Sequence, residues 1–312
     1  MATAGIWSWL SPRPEIGQVA VLWLPNAILT VALLRNWGRP VFCVLAIFIF
    51  IGVGIFPAFD TGTVVGALAL LIVDIFEVGF LAFGLILWFG TTFRLNSSLN
   101  AAAFGIVAAT SSALGGVLAA IVSQIPLGAT VIDTQAPLQV GVAWFTSDLA
   151  TYFLVAAPII ALTGRGGRHA WTGITQSPLM SALGGVLVMV LTFIGFTLPQ
   201  WLAAQTGLAL GSGGLMLIAF PLATYLGFTR GPVIAALVGS AIGVSAIYAT
   251  MAGLGPFSQG NAAADVFDLQ ATMIVSMFTL LLIGALGHEM RTRAATLERA
   301  LDEAIKMRQD RA

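Results

Sequence analysis

Apolar and polar positions alternate along this chain in long blocks rather than residue by residue. Nine apolar stretches, at about 17–34, 40–57, 63–89, 99–123, 138–162, 180–203, 212–229, 231–252 and 269–287, are separated by short polar connections. Each is near the ~17–25 residues a helix needs to cross a bilayer, and the third is long enough to tilt. The pattern predicts an all-α, polytopic transmembrane bundle of eight to nine helices.

The connections sort by charge. Arg35 with Arg39, Arg94, Arg165 with Arg168, and Arg230 fall on one side. Asp60, Asp133, and Asp265 with Asp268 fall on the other, where Arg13 is the only basic residue. Basic loops stay in the cytoplasm, so the N-terminus is expected outside and the C-terminus inside. Three regions follow: an interfacial periplasmic segment 1–16 with Trp7 and Trp9, a membrane body 17–287, and a cytoplasmic tail 288–312. Residues 1–16 lack the basic start and apolar core of a signal peptide and carry Pro12 and Pro14.

Composition narrows the function classes. The chain is 58% apolar and 8% charged, with a mean hydropathy of +0.98, where soluble proteins carry about 25% charge. No basic patch faces an open surface, so nucleic acid is not an expected partner. The single Cys43 excludes an internal disulfide, and His169 and His288 are too few and too far apart to suggest a metal site. No cofactor is expected, and the chain is not read as an enzyme. Asp74 follows Val73 and Asp148 follows Ser147, unlike the Gly–Asp or Tyr–Asp settings of membrane aspartyl proteases.

Three acids nevertheless fall within apolar stretches: Asp74, Glu77 and Asp148. A carboxylate at mid-bilayer costs several kcal/mol, by estimates of ~2.5 and upward, so such groups face the protein interior, pair, or carry a proton. Asp74 and Glu77 are three apart and share a helix face, which favours a shared proton. No Lys or Arg lies within any span to neutralise them. Trp144, Asp148 and Tyr152 recur every four residues, with Thr151 one step aside. That face offers an aromatic wall, an acid and hydroxyls, a surface suited to a small polar or cationic ligand. The alternative for each acid is a structural hydrogen-bonded knot. Pro25, Pro158 and Pro221 fall within stretches and are expected to kink their helices. Gly62 with Gly66, and Gly239 with Gly243, have a spacing that lets helices approach closely.

An internal echo is visible. Residues Ser112 to Leu118 recur as Ser181 to Leu187, and Leu149 to Tyr152 as Leu222 to Tyr225. This suggests a parallel repeat in which Pro221 stands where Asp148 stood. Low complexity in Ala, Gly and Leu is the alternative.

The tail from His288 holds six of the thirteen basic and five of the thirteen acidic residues. Met290, Ala294, Leu297, Leu301 and Ala304 follow coiled-coil steps, and no Gly or Pro interrupts them. The tail is expected to continue the ninth helix and to dimerise. The string His288–Glu289–Met290–Arg291–Thr292 resembles a histidine-kinase phosphoacceptor box but continues with Arg293 where that box has Pro. An interfacial, snorkelling histidine is the expectation.

Several segments taken in order carry a resemblance: Leu22–Trp23–Leu24–Pro25–Asn26–Ala27 with Arg35 and Arg39–Pro40; Glu77 in the third stretch; Trp144–Phe145–Thr146–Ser147–Asp148 leading to Ala157–Pro158; Gly227–Phe228–Thr229–Arg230–Gly231–Pro232; and Gly253–Leu254–Gly255–Pro256–Phe257. Together they resemble the first class of membrane-associated sensor (MASE) domains, input modules of bacterial histidine kinases, diguanylate cyclases and phosphodiesterases. The resemblance covers 17–287 and places Glu77, Trp144 and Asp148 among the family's characteristic positions. It implies a bacterial cell inner membrane, a sensory role, a homodimer through 288–312 and a cytoplasmic output domain in cis or in trans. It names no ligand. The chain departs from the family in ending shortly after its linker, which favours the sensor part of a longer protein. The expected function is sensory input to such an output, for example in a two-component system. The alternative is a small-solute or proton-coupled transporter. Candidate ligand or switch residues are Asp74, Glu77, Trp144, Asp148, Thr151 and Tyr152.

Overall fold

The computed structural model describes residues 22–61, 64–125, 136–163, 178–206, 219–254, 256–258 and 262–310. The segment 1–16, Gly62, Asp133, Arg165, Arg168 and His169 lie outside them. The described residues form helices α1 (Leu24–Asn36), α2 (Pro40–Thr61), α3 (Val64–Phe89), α4 (Ser98–Val122), α5 (Pro137–Thr163), α6 (Pro178–Thr206), α7 (Phe220–Arg230), α8 (Pro232–Met251) and α9 (Ala262–Gln309). There is no strand among them.

Six helices, α3, α4, α5, α6, α8 and α9, are long and apolar enough to cross a membrane, so the chain is a multi-pass membrane protein. The described part of α1 has 13 residues, about 20 Å at 1.5 Å per residue. The apolar described part of α2, Pro40–Gly52, is likewise shorter than a span. Large apolar side chains stand exposed along α2 and α3, among them Val41, Phe42, Phe48, Ile49, Ile72 and Leu87. In water such a surface would drive aggregation; in a bilayer it faces acyl chains.

Helix α5 occupies the middle, packing against α4, α1, α8 and α9. Its Phe153 meets Phe104 of α4 edge to face at 5.7 Å and Phe278 of α9 at 5.6 Å. Two glycines set the α4–α5 crossing: a Cβ on Gly116 would lie 2.5 Å from the Gly141 carbonyl oxygen. Gly239 and Gly243 do the same for α8, the first against Met277 and the second against Leu154 and Met273.

The three prolines expected as kinks behave differently from one another. Pro25 sits in the first turn of α1 and Pro221 in the first turn of α7, where a missing N–H costs nothing. Neither kinks its helix, so that expectation is corrected. Pro158 is interior and has a local consequence. It cannot donate to Leu154, and α5 widens into a π-helical turn at Tyr152–Ala156, with Ala157 N–H donating to Tyr152 O. The orphaned Leu154 carbonyl instead accepts from Ser240 Oγ of α8 at 2.6 Å. A proline thus creates the acceptor that fastens α8 to α5.

One end of the bundle gathers the basic connections. Arg35, at the end of α1, donates to Phe93 O at 2.9 Å, Ile160 O at 2.6 Å and Thr163 Oγ1 at 3.0 Å. It joins the end of α1, the α3–α4 connection and the end of α5. At the same end Gly231 turns α7 into α8 with φ +97°, a conformation glycine adopts without strain. Arg291 of α9 donates to Phe228 O there. His288 is half-buried beside it, and burial first, then the Arg291 charge, hold its imidazole below the usual histidine range. Arg35, Arg94, Arg230 and the polar start of the tail therefore share one face of the protein, as the charge pattern requires.

Helix α9 is 48 residues long, about 72 Å. It continues past His288 without a break, as expected. Beyond the bundle Met290, Leu297 and Leu301 remain exposed.

Candidate functional site: a buried acid cluster

Four helices carry polar side chains into one buried region. Asp74 and Glu77 come from the same face of α3, Asn26 from α1, Ser111 and Ser112 from α4, and Trp144, Asp148 and Tyr152 from α5. Asp74, Glu77 and Asp148 are 3%, 0% and 2% exposed. Helical periodicity explains the local arrangement: three-residue spacing on α3 and four-residue spacing on α5 each keep their groups on one face.

Glu77 is the centre. Its Oε1 accepts from Ser112 Oγ at 3.1 Å and its Oε2 from Trp144 Nε1 at 3.1 Å. Ser111 Oγ donates to the Glu77 backbone carbonyl at 2.5 Å. Asp74 Oδ1 accepts from Asn26 Nδ2 at 2.7 Å. Asp148 and Tyr152 lie within interaction range of Glu77, and Asp148 also of Asp74 and Asn26. The two acid faces seen in the sequence therefore form one site. No Lys or Arg lies within any apolar stretch to neutralise it.

The hydrogen-bond accounting is incomplete at this cluster. Buried atoms without a protein partner include Trp23 Nε1, Asn26 Oδ1, Thr30 Oγ1, Asp148 Oδ1 and Tyr152 OH, all on or beside this cluster. Trp23 lies within reach of Asp74 and Tyr152 within reach of Glu77; the bare acceptors Asn26 Oδ1 and Asp148 Oδ1 are the ones that call for a further hydrogen.

Thr151 does not belong to this acid face. Its Oγ1 accepts from Trp23 N at 2.9 Å and donates to Ser147 O at 2.7 Å, fixing the start of α1 on α5. The stripe read as a ligand surface is also closed: Trp144 binds Glu77, and Tyr152 is fully buried. Asn26, Ser111 and Ser112 were not anticipated. Asn26 was visible as an amide following a proline in an apolar stretch, and Ser112 as the polar start of the echoed segment.

The echo does not carry the chemistry over. Tyr152 is buried at the site, while its counterpart Tyr225 is 63% exposed. Ser112 binds Glu77, while Ser181 Oγ is buried without a partner.

Two of the helices that carry the site, α5 and α4, are hydrogen-bonded to α9. Thr146 Oγ1 of α5 meets Gln270 Oε1 of α9 at 2.6 Å. At the basic end, Glu289 Oε2 accepts from Ser98 N at 3.2 Å and Ser98 Oγ at 2.8 Å. Ser98 opens α4, the helix whose middle holds Glu77, so Glu289 is an anion at that helix's N-terminus. Glu289 also pairs with Arg293 one turn on.

Comparison with known proteins finds no matching family model, no similar curated protein and no similar solved structure. Among the described residues no group of His, Cys, Asp or Glu is arranged to hold a metal ion.

Proposed function

We propose that the chain is an integral-membrane sensory input domain, with the acid cluster as its input and α9 as its output. One observation carries the reading. Glu77 is tied to the middle of α4, and the N-terminus of α4 is tied to Glu289 on α9. A change in the charge or occupancy of the cluster shifts α4, and α4 moves the helix that leaves the bundle. A ligand biases such a pair of states only by its different affinity for them. The exposed seam at Met290, Leu297 and Leu301 suits a homodimer that passes the change to a cytoplasmic output domain, in cis or in trans. In this reading the basic end faces the cytoplasm, the N-terminus lies outside, all nine apolar stretches belong to the membrane domain, and the setting is a bacterial inner membrane.

The test joins the chain through its tail, in heptad register, to a diguanylate cyclase or kinase reporter. Asp74→Asn, Glu77→Gln and Asp148→Asn are compared with the parent at matched membrane levels. Changed output is expected. Unchanged output from all three, in folded protein, removes the cluster as the input.

The transporter alternative draws on the π-helical turn that begins one turn beyond Asp148, since broken helices beside buried charge recur in transporters. Solute or proton flux in proteoliposomes containing only this chain would favour it over the sensor.

A further inference from the structure

We propose that the acid cluster is a proton-binding site in which Asp148 holds the proton and Glu77 carries the charge. The consequence for signalling rests on the sensory reading above; the proton itself does not.

The assignment follows from donors and acceptors. An indole N–H and an amide NH2 can only donate. Trp144 Nε1 therefore finds a lone pair on Glu77 Oε2, and Asn26 Nδ2 finds one on Asp74 Oδ1. Ser112 supplies the second Glu77 oxygen. Glu77 is thus equipped as a carboxylate, with a donor on each oxygen. Asp148 is not: its Oδ1 is buried and has no donor. An ionised oxygen left in that state is costly, whereas a carboxylic O–H there becomes a donor. It also has a receiver. Asn26 Oδ1 is a second buried acceptor without a partner, and Asn26 and Asp148 are side-chain neighbours. A proton on Asp148 gives it a donor within range of both Asn26 and Glu77. It also completes a line from Asp148 through the Asn26 amide to Asp74. Tyr152 OH, another buried group of the cluster, lies within range of Glu77 and Asp148.

The groups around Asp148 leave few alternatives. From α1 it faces Asn26; from α3, Asp74 and Glu77, the latter engaged by Ser112 of α4; from its own helix, Tyr152. The α9 group that meets this part of α5 is the neutral Gln270. Three carboxyls with no cation among these neighbours need positive charge from outside, and the proton is the smallest carrier of it. A sodium ion is the competing carrier.

The test uses the full chain in sodium-free lipid nanodiscs and reads the infrared carbonyl band of protonated carboxyl groups. At neutral pH the parent is expected to show such a band. Isotope-labelled aspartate should shift it without any substitution, and Asp148→Asn should abolish it. Glu77→Gln should leave an aspartate band in place. Absence of the band in the parent, its insensitivity to aspartate labelling, its survival in Asp148→Asn, or its loss on adding sodium would each overturn the proposal. The band is read without any signalling output. A proton held at Asp148 beside an unresponsive reporter refutes the sensory reading alone. A responsive reporter without the band refutes the proton alone.

Discussion

Gly115 offers the cleanest perturbation of the acid cluster, because it acts on Glu77 from the neighbouring helix. A methyl group there would fall 2.8 Å from Glu77 Cδ and 3.3 Å from Cγ, and closer still to Oε2. In an open site the carboxyl would swing away. Here Glu77 is fully buried, and Ser112 and Trp144 hold its two oxygens. Gly115→Ala must either push α4 off α3 or detach the carboxyl. Overpacking costs about 1–3 kcal/mol, and each lost intramembrane hydrogen bond about 0.6 kcal/mol. The expected loss is therefore about 2–4 kcal/mol. It is read by equilibrium unfolding in mixed detergent micelles, followed by tryptophan fluorescence. The decisive comparison is a double-mutant cycle with Glu77→Ala, which removes every atom the new methyl would strike. In that background Gly115→Ala should cost less than about 0.5 kcal/mol, the usual scatter of independent sites. Gly185→Ala is the control, since a Cβ there meets nothing within 4 Å; it should be neutral or slightly stabilising. The reasoning fails if Gly115→Ala costs the same with and without the Glu77 side chain.

Two further outcomes follow from other contacts. Burying the Leu154 carbonyl without Ser240 should cost about 1–3 kcal/mol, so Ser240→Ala destabilises the parent. Pro158→Ala restores the missing N–H, and in that background the Ser240→Ala penalty should shrink; an equal penalty in both refutes the link between the proline and the serine. At the exit of α9, the Ser98 hydroxyl and then the Ser98 backbone N–H hold the Glu289 carboxyl below the usual glutamate range. A depressed acid contributes stability above its unfolded pKa and loses it as pH falls through the folded value. The Ser98–Glu289 contact should therefore persist at neutral pH and open only below the ordinary carboxylate range. Ser98→Ala should move the Glu289 midpoint, followed by carboxyl NMR, upward; an unmoved midpoint refutes the contact.

The helices were legible because runs of some twenty apolar residues have no soluble explanation, and the charge pattern grouped their ends. The acid stripes were legible for the same periodic reason. Their meeting was not, because it depends on which helices are neighbours, and helix order in the bundle leaves no mark along the chain. Thr151 shows the limit of periodicity: one step from the stripe was enough to turn it to the backbone of α1. Hydropathy also records apolar length rather than helix starts. Pro25 and Pro221 therefore looked interior, although each opens a described helix. Asn26 carried no periodic partner, and only the fold reveals that it serves Asp74.

The contacts of α1 bear on how the protein is made. Asn26 waits for a partner 48 residues further on, and Arg35 for carbonyls up to 125 residues away, in a helix synthesised long after its own. As the chain leaves the ribosome, α1 enters the membrane carrying an amide and a guanidinium with nothing to receive them. It is therefore the first of the described helices to be translated, and its contacts are completed only when α5 follows. Until α5 arrives, α1 can pack only against α2 and α3, through Leu29 and Leu33, and its Arg35 contacts with Ile160 and Thr163 remain unmade. Substitutions that weaken the Arg35 contacts should accordingly show themselves first as newborn chains degraded in the cell, before any loss is measurable in the finished protein.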